Sequence, residues 1–235
     1  MTIRERLARL DWKTIATSLH DRGFATLPRL LTATECRGLV QLYGNEDRFR
    51  KRIEMERHRF GVGDYKYFDY PLPAPVRDLR AEAYRRLAPI VNRWMTRLGS
   101  SQRYPLSLGP FLRRCHHRGQ ARPTPLMLHY EAGGYNRLHQ DLYGAIVFPV
   151  QLAVLLSRPA TDFTGGEILL VENHPRAQSI GHAIALDQGE AVIFTTRERP
   201  VAGTRGFYRA SVRHGVSRIL SGSRYTLGII FHDAK

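Results

Sequence analysis

The chain has 235 residues, 43% apolar and 24% charged, a balance that supports a real core and excludes disorder over most of its length. Lysine and arginine total 36 against 21 acidic residues, for a formal charge of +15; only Lys13, Lys51, Lys66 and Lys235 are lysines, which leaves 32 of the 36 as arginine. Two cysteines, Cys36 and Cys115, exclude a disulfide framework or a cysteine zinc site. The first residues, MTIRERLARLDW, are charged throughout and do not read as a signal peptide, and no run approaches 18 apolar residues. A reducing cytoplasm and no membrane partner are the expectation. The arginine excess has two readings that are compatible: genomic codon bias, or a surface whose guanidinium forks grip phosphate oxygens.

Taken in chain order, Ile3, Leu7, Leu10, Ile15 and Leu19 predict a helix over 3–19, ended by Gly23. Phe24 to Leu27 suits a short strand. Thr32-Ala33-Thr34-Glu35 is a capping box opening a helix through Leu39, Val40 and Tyr43. Residues 73–98 follow prolines with a long amphipathic run, and Phe111 to Arg118 reads as a further short helix. From about 124 the texture changes. Short apolar runs at 126–130, 150–156, 167–171, 191–194 and 225–231 are punctuated by Gly, Pro and Asn, as in an antiparallel sandwich or barrel. The expected fold is α+β with a mainly β core. One domain spans 1–235, with a mainly helical layer over 1–120 supporting a jelly roll, or double-stranded β-helix, over 121–235.

Three stretches carry chemistry. In His139-Gln140-Asp141, positions i and i+2 of a strand point the same way, so an imidazole and a carboxylate converge on one point. Arg213-His214-Gly215-Val216 supplies a second imidazole 75 residues on. Two His and one carboxylate on one face of an octahedron, with the remaining positions open, is the ligand set of non-haem iron(II) oxygenases. Ten residues past His214, Arg224-Tyr225-Thr226 opens an apolar strand. A buried Arg beside a hydroxyl suits the far carboxylate of 2-oxoglutarate, because a charge-assisted pair offsets the cost of burying both charges.

These residues resemble the 2-oxoglutarate/Fe(II) dioxygenase superfamily over roughly 124–233. Tyr130-Glu131-Ala132-Gly133 resembles the stretch before His-Gln-Asp in AlkB-type nucleic-acid demethylases, and the resemblance gives Tyr130 a hydroxyl contact to 2-oxoglutarate beside Arg224 and Thr226. Phe163 to Glu167 and Gln188 to Phe194 look like sheet turns of prolyl-hydroxylase-type members. The whole chain, including Tyr65 to Phe68 and His139 to Gly144, is similar to a bacterial oxygenase family described as acting on alkylation-damaged DNA. Two positions depart from the AlkB-type pattern: Ile230 stands where a second Arg is usual, and Leu128 where an Asn is. The His-to-Arg gap is the shorter one typical of prolyl hydroxylases. The resemblance implies an enzyme that uses Fe(II), 2-oxoglutarate and O2 to hydroxylate a C–H bond, releasing succinate and CO2. An N-methyl group so hydroxylated leaves as formaldehyde, giving oxidative demethylation of alkylated DNA or RNA. Hydroxylation of a protein side chain or small metabolite is the alternative, and a non-catalytic jelly-roll module a further one.

His116-His117 is not expected to form a second metal pair, since adjacent helical residues face about 100° apart. His232 reads as end-of-strand structure, and Asp11, Glu35 and Asp69 as solvated or capping groups. No acidic residue lies between Glu82 and Glu131, where nine arginines occur; Arg48 to Arg59 and Arg197 to Arg218 form further basic clusters. With Phe49, Phe60, Tyr65 and Tyr67 nearby, this clustering suits a nucleic-acid backbone and a stacked base, and equally suits solvated helix faces. A duplex substrate requires a flipped base. Gln140, Tyr143 and Arg205 are the candidate substrate-pocket residues. The oligomeric state is left open.

Overall fold

The computed structural model describes residues 1–141 and 144–235. The expected first helix is two: α1 (Ile3–Ala8), opened by a capping box at Thr2 and Glu5, and α2 (Trp12–Arg22). Asp11 causes the break, its carboxylate accepting from the Lys13 and Thr14 amides to start α2 afresh. Gly23, at φ +76°, ends α2 in a left-handed cap whose N–H donates to the Leu19 carbonyl. Strand β1 (Phe24–Leu27) follows, then α3 (Ala33–Leu42), with Thr32 and Glu35 forming the expected box.

The segment between α3 and the long helix differs from the helical layer expected there. It holds β2 (Phe49–Glu54), β3 (Gly61–Val62) and β4 (Asp64–Phe68), with β2 and β4 at one edge of the larger sheet. The sequence FRKRIE carries the charge that blunts a sheet edge, and that charge masks its alternation. Lys66 is buried within β4 because its ammonium lies over the Tyr43 ring at 4.5 Å and donates to the Tyr43 carbonyl. Helices α4 (Ala74–Arg97) and α5 (Leu108–His117) come next.

The β core comprises β5 (Leu126–Glu131), β6 (Tyr135–His139), β7 (Val150–Leu155), β8 (Phe163–Gly165), β9 (Ile168–Asn173), β10 (Ile180–Ile184), β11 (Ala191–Thr195), β12 (Glu198–Gly203), β13 (Gly206–Val216) and β14 (Ile219–Ile229). The major sheet runs β1-β11-β7-β14-β5-β4-β2, with β8 beside β14; the minor sheet runs β10-β9-β13-β6-β3, with β12 beside β13. Every strand pair is antiparallel, the jelly-roll arrangement expected.

Strands β7 and β11 read as largely apolar runs because both faces are covered. Val154 and Ile193 join Leu87, Val91 and Trp94 of α4 in the core under the helices. Leu155, Val192 and Phe194 instead meet Ile168, Leu170 and Val216 of the minor sheet. Arg6, Arg80 and Arg199 sit inside this frame rather than on its surface. Arg6 forks onto Glu35 at 2.6 and 2.7 Å, tying α1 to α3. Arg80 of α4 bonds Asp233 and the Ile230 and Phe231 carbonyls. Arg199 forks onto Glu172 and caps the end of α2 through the His20 and Asp21 carbonyls. Among the described residues no helix is long and apolar enough to cross a membrane.

Candidate active site

The three expected ligands converge. His139 ends β6, Asp141 follows two residues later, and His214 lies on β13 directly opposite His139 in the ladder. One ligand atom from each lies within 4.8 Å of the others, and this is the one such group of histidine, cysteine and acidic side chains among the described residues. His214 Nε2 is 3.1 Å from one Asp141 oxygen, and His139 Nε2 is 3.5 Å from the other. His139 Nδ1 donates to the Arg137 carbonyl at 2.7 Å, which fixes the ring and leaves Nε2 as the lone-pair nitrogen toward the centre.

The electrostatics suit a cation between these groups. Burial, reinforced by the neighbouring His214, pushes the His139 imidazole below its ordinary pKa and favours the neutral, metal-binding form. Burial opposes charge on Asp141, but hydrogen bonds from His214 and Gln151 outweigh it and hold the carboxyl well below the usual range. Gln151, on β7, donates to Asp141 from 2.8 Å. The sequence reading missed it; its signal was one amide inside the apolar run Val150 to Leu156.

The opposite wall belongs to the major sheet. Arg224 and Tyr130 are register partners on β14 and β5, and Thr226 follows Arg224 on the same face. Arg224 is only 2% exposed, and among the described residues its guanidinium meets no carboxylate; Nη1 donates to the Thr226 hydroxyl at 2.7 Å, and Nε has no partner. The Tyr130 hydroxyl is fully buried near Asn136 and forms no hydrogen bond of ordinary geometry. Burial lowers the Arg224 pKa to about 10, opposed by Tyr130 and Glu167, so it stays charged at neutral pH. Burial raises the Tyr130 pKa, so it stays protonated and able to donate. The turn Gly165-Gly166 packs against this wall. Gly166 sits at φ +71°, where a Cβ would lie 2.9 Å from Arg224 Cδ, so only glycine leaves the guanidinium its place.

Between the walls lies a cavity of about 500 Å³, lined on one side by Arg224, Tyr130 and Thr226, on the other by His139, Asp141 and His214, and elsewhere by apolar groups such as Leu128, Leu152, Ile168 and Phe194. An apolar pocket with a few convergent polar groups is the usual form of a small-molecule site. Gln140 borders it, but its amide donates to the Val212 carbonyl at 2.8 Å and to the Ser211 hydroxyl, tying the segment after β6 to β13. Arg205 corrects the expectation: it sits exposed at the β12–β13 hairpin tip and is not among the lining residues, because a tight turn turns its side chain to solvent. Tyr143 lies outside the described residues. Of the aromatics weighed for stacking, Phe60 and Tyr65 border the cavity. Phe49 stacks on Phe68 instead, and Tyr67 lies under Arg50. His116 bonds Asp233 at 2.9 Å, and buried His232 accepts from the Phe148 amide.

The model of an oxygenase family, described as catalysing oxidative methylation of damaged DNA, matches residues 63–234. The uncharacterized protein Rv2227 of Mycobacterium tuberculosis is 42% identical over 231 residues, covering 98% of this chain and 94% of its own. A Pseudomonas putida prolyl-4-hydroxylase superposes with a TM-score of 0.56 at 17% identity, covering 95% of this chain and all of its own. An oxidoreductase of the 2OG-Fe(II) oxygenase family from Burkholderia pseudomallei gives 0.54 at 15% identity over 94% and 91% of the two chains. SnoN, an epimerase from nogalamycin biosynthesis, gives 0.56 at 16% identity over 94% and 82%. At these identities the solved structures show a shared fold.

Proposed function

The chain belongs to the oxygenase family described as catalysing oxidative methylation of damaged DNA, and from that membership we propose that it is an Fe(II)- and 2-oxoglutarate-dependent dioxygenase that demethylates alkylated single-stranded DNA or RNA. The observation that carries this reading is Arg224: a charged guanidinium, nearly sealed from water, in contact with no carboxylate among the described residues, facing a His-Asp-His cluster across one cavity. A buried charge without a counter-charge in contact is costly, and a carboxylate ligand offsets that cost. The residues therefore fit both groups. His139, Asp141 and His214 would hold iron(II); Arg224, Thr226 and Tyr130 would hold the far carboxylate of 2-oxoglutarate.

When bound, iron(II) with 2-oxoglutarate and O2 supplies oxidation of a C–H bond coupled to decarboxylation of the cosubstrate. The chain's own residues do the rest. Arg224 presents the charge and Thr226 and Tyr130 the hydroxyls that orient the carboxylate. Gln151 holds the Asp141 carboxylate in place, and the Arg137 carbonyl holds the His139 ring. The apolar lining keeps the pocket poor in water, which strengthens each of these interactions.

The test is turnover of purified protein with Fe(II) and 2-oxoglutarate against N-methylated oligonucleotides, peptides and metabolites, following formaldehyde and succinate. The reading predicts both products from methylated DNA or RNA, and neither from the His139→Ala variant. Succinate released only with a peptide or metabolite would reject the nucleic-acid substrate and retain the chemistry.

A further inference from the structure

We propose that the cavity mouth is a nucleotide grip in which Phe60 stacks the base beside the target and Arg59 and Arg137 hold the flanking phosphates. This rests on the nucleic-acid reading above and names residues of the same site.

Fold and chemistry both place this grip. Strand β3 pairs with β6, and the Arg137 amide donates to the Phe60 carbonyl at 2.8 Å, so residues 58–60 lie against the strand that ends in His139. Phe60 and Leu138 border the cavity yet are 47% and 41% exposed, an apolar rim that water meets directly. Phe60 packs against His58 at 5.3 Å with nearly parallel rings. Arg59 and Arg137 also line the cavity and are exposed, and neither pairs with an acid among the described residues. Other arginines nearby are committed: Arg57 to Glu54, and Arg218 to the Gly133 carbonyl and the Tyr135 ring. Arg59 occupies φ +59°, the left-handed cap of the helical turn Met55–His58.

Two free guanidinium groups flanking an exposed aromatic match the alternation of phosphate and base in single-stranded nucleic acid. A metabolite or an uncharged peptide offers no such repeat. In a chain of formal charge +15, the mouth adds positive charge where the substrate enters.

The experiment is fluorescence anisotropy of N-methylated DNA and RNA 12-mers over a salt series, alongside formaldehyde turnover with Fe(II) and 2-oxoglutarate. Arg59→Gln with Arg137→Gln is expected to weaken binding about tenfold near 0.1 M salt. The log–log salt slope should shrink by roughly 1.4, about 0.7 for each lost single-strand phosphate contact. Phe60→Leu is expected to weaken binding about tenfold without changing the slope, and Phe60→Trp to restore it. Arg205→Gln, which removes one charge at the distant hairpin tip, should leave affinity within twofold. An unchanged slope in the double variant, or equal loss from Arg205→Gln, overturns the grip while wild-type turnover upholds the substrate class. Absence of formaldehyde from wild type with every methylated oligonucleotide overturns both.

Discussion

Burying a guanidinium away from water with no carboxylate in contact costs free energy that a ligand carrying the missing charge offsets. Arg224 is in that position, and its single side-chain bond to Thr226 leaves most of its donors for an incoming anion. Replacing it with methionine should weaken 2-oxoglutarate binding roughly a hundredfold, about 3 kcal/mol for a charge-assisted pair, while iron(II) still binds; isothermal titration with each ligand checks this. Gln151 acts one step behind the proposed metal ligands, through its hydrogen bond to Asp141. Gln151→Leu should weaken iron(II) binding by about 10- to 100-fold by freeing the Asp141 carboxylate, measured by competition with a chelator. At this scale the sequence was informative where chemistry forces residue type: the His-x-Asp pair, the distal His and the Arg-x-Thr all arrive at one cavity. It was silent on Gln151, whose partner is close only in space, and it misplaced Arg205, because charge and proximity in sequence say nothing about which way a hairpin tip points.

The elements divide by how many faces they bury. Strands β7 and β11, covered on both sides, appear in the sequence as apolar runs interrupted within β7 by Gln151. β6, β12 and β13 mix arginines, and the latter two also glycines, with their apolar positions and were not delimited, although His214 was correctly read into strand-rich sequence. Caps were legible because their chemistry is local: Thr32 with Glu35, and Gly23. The Arg6–Glu35 tie was not, being 29 residues apart. It carries a pH signature. The hydrogen bond from Arg6 lowers the Glu35 pKa to about 2, against an ordinary value of 4.5. A lowered folded-state pKa contributes stability that is complete above about 4.5 and is lost as pH falls toward 2. Glu35→Gln should therefore cost on the order of 2 kcal/mol at pH 7 and flatten the decline in stability between pH 4.5 and 2; urea unfolding at pH 7 and pH 3 reads both effects.

Across the molecule, the two sheets perform different tasks. The minor sheet supplies the two imidazoles, the major sheet the arginine, tyrosine and threonine, and the cavity is the space between them. The helices brace the outer face of the major sheet, and part of the arginine excess is spent inside that frame, in Arg6, Arg80 and Arg199. The overall plan was readable because the change from helical to strand texture tracks the two layers, whereas β2 was hidden by the charges of an edge and β4 by its buried Asp64 and Lys66. On the proposed function a single metal ion joins the sheets, and anaerobic iron(II) titration of the wild type and of the His139→Ala, Asp141→Ala and His214→Ala variants tests it. The account predicts one equivalent bound by the wild type, tightened by 2-oxoglutarate, and loss of that site in each variant. Stoichiometric, 2-oxoglutarate-responsive iron in any one of the three would contradict it.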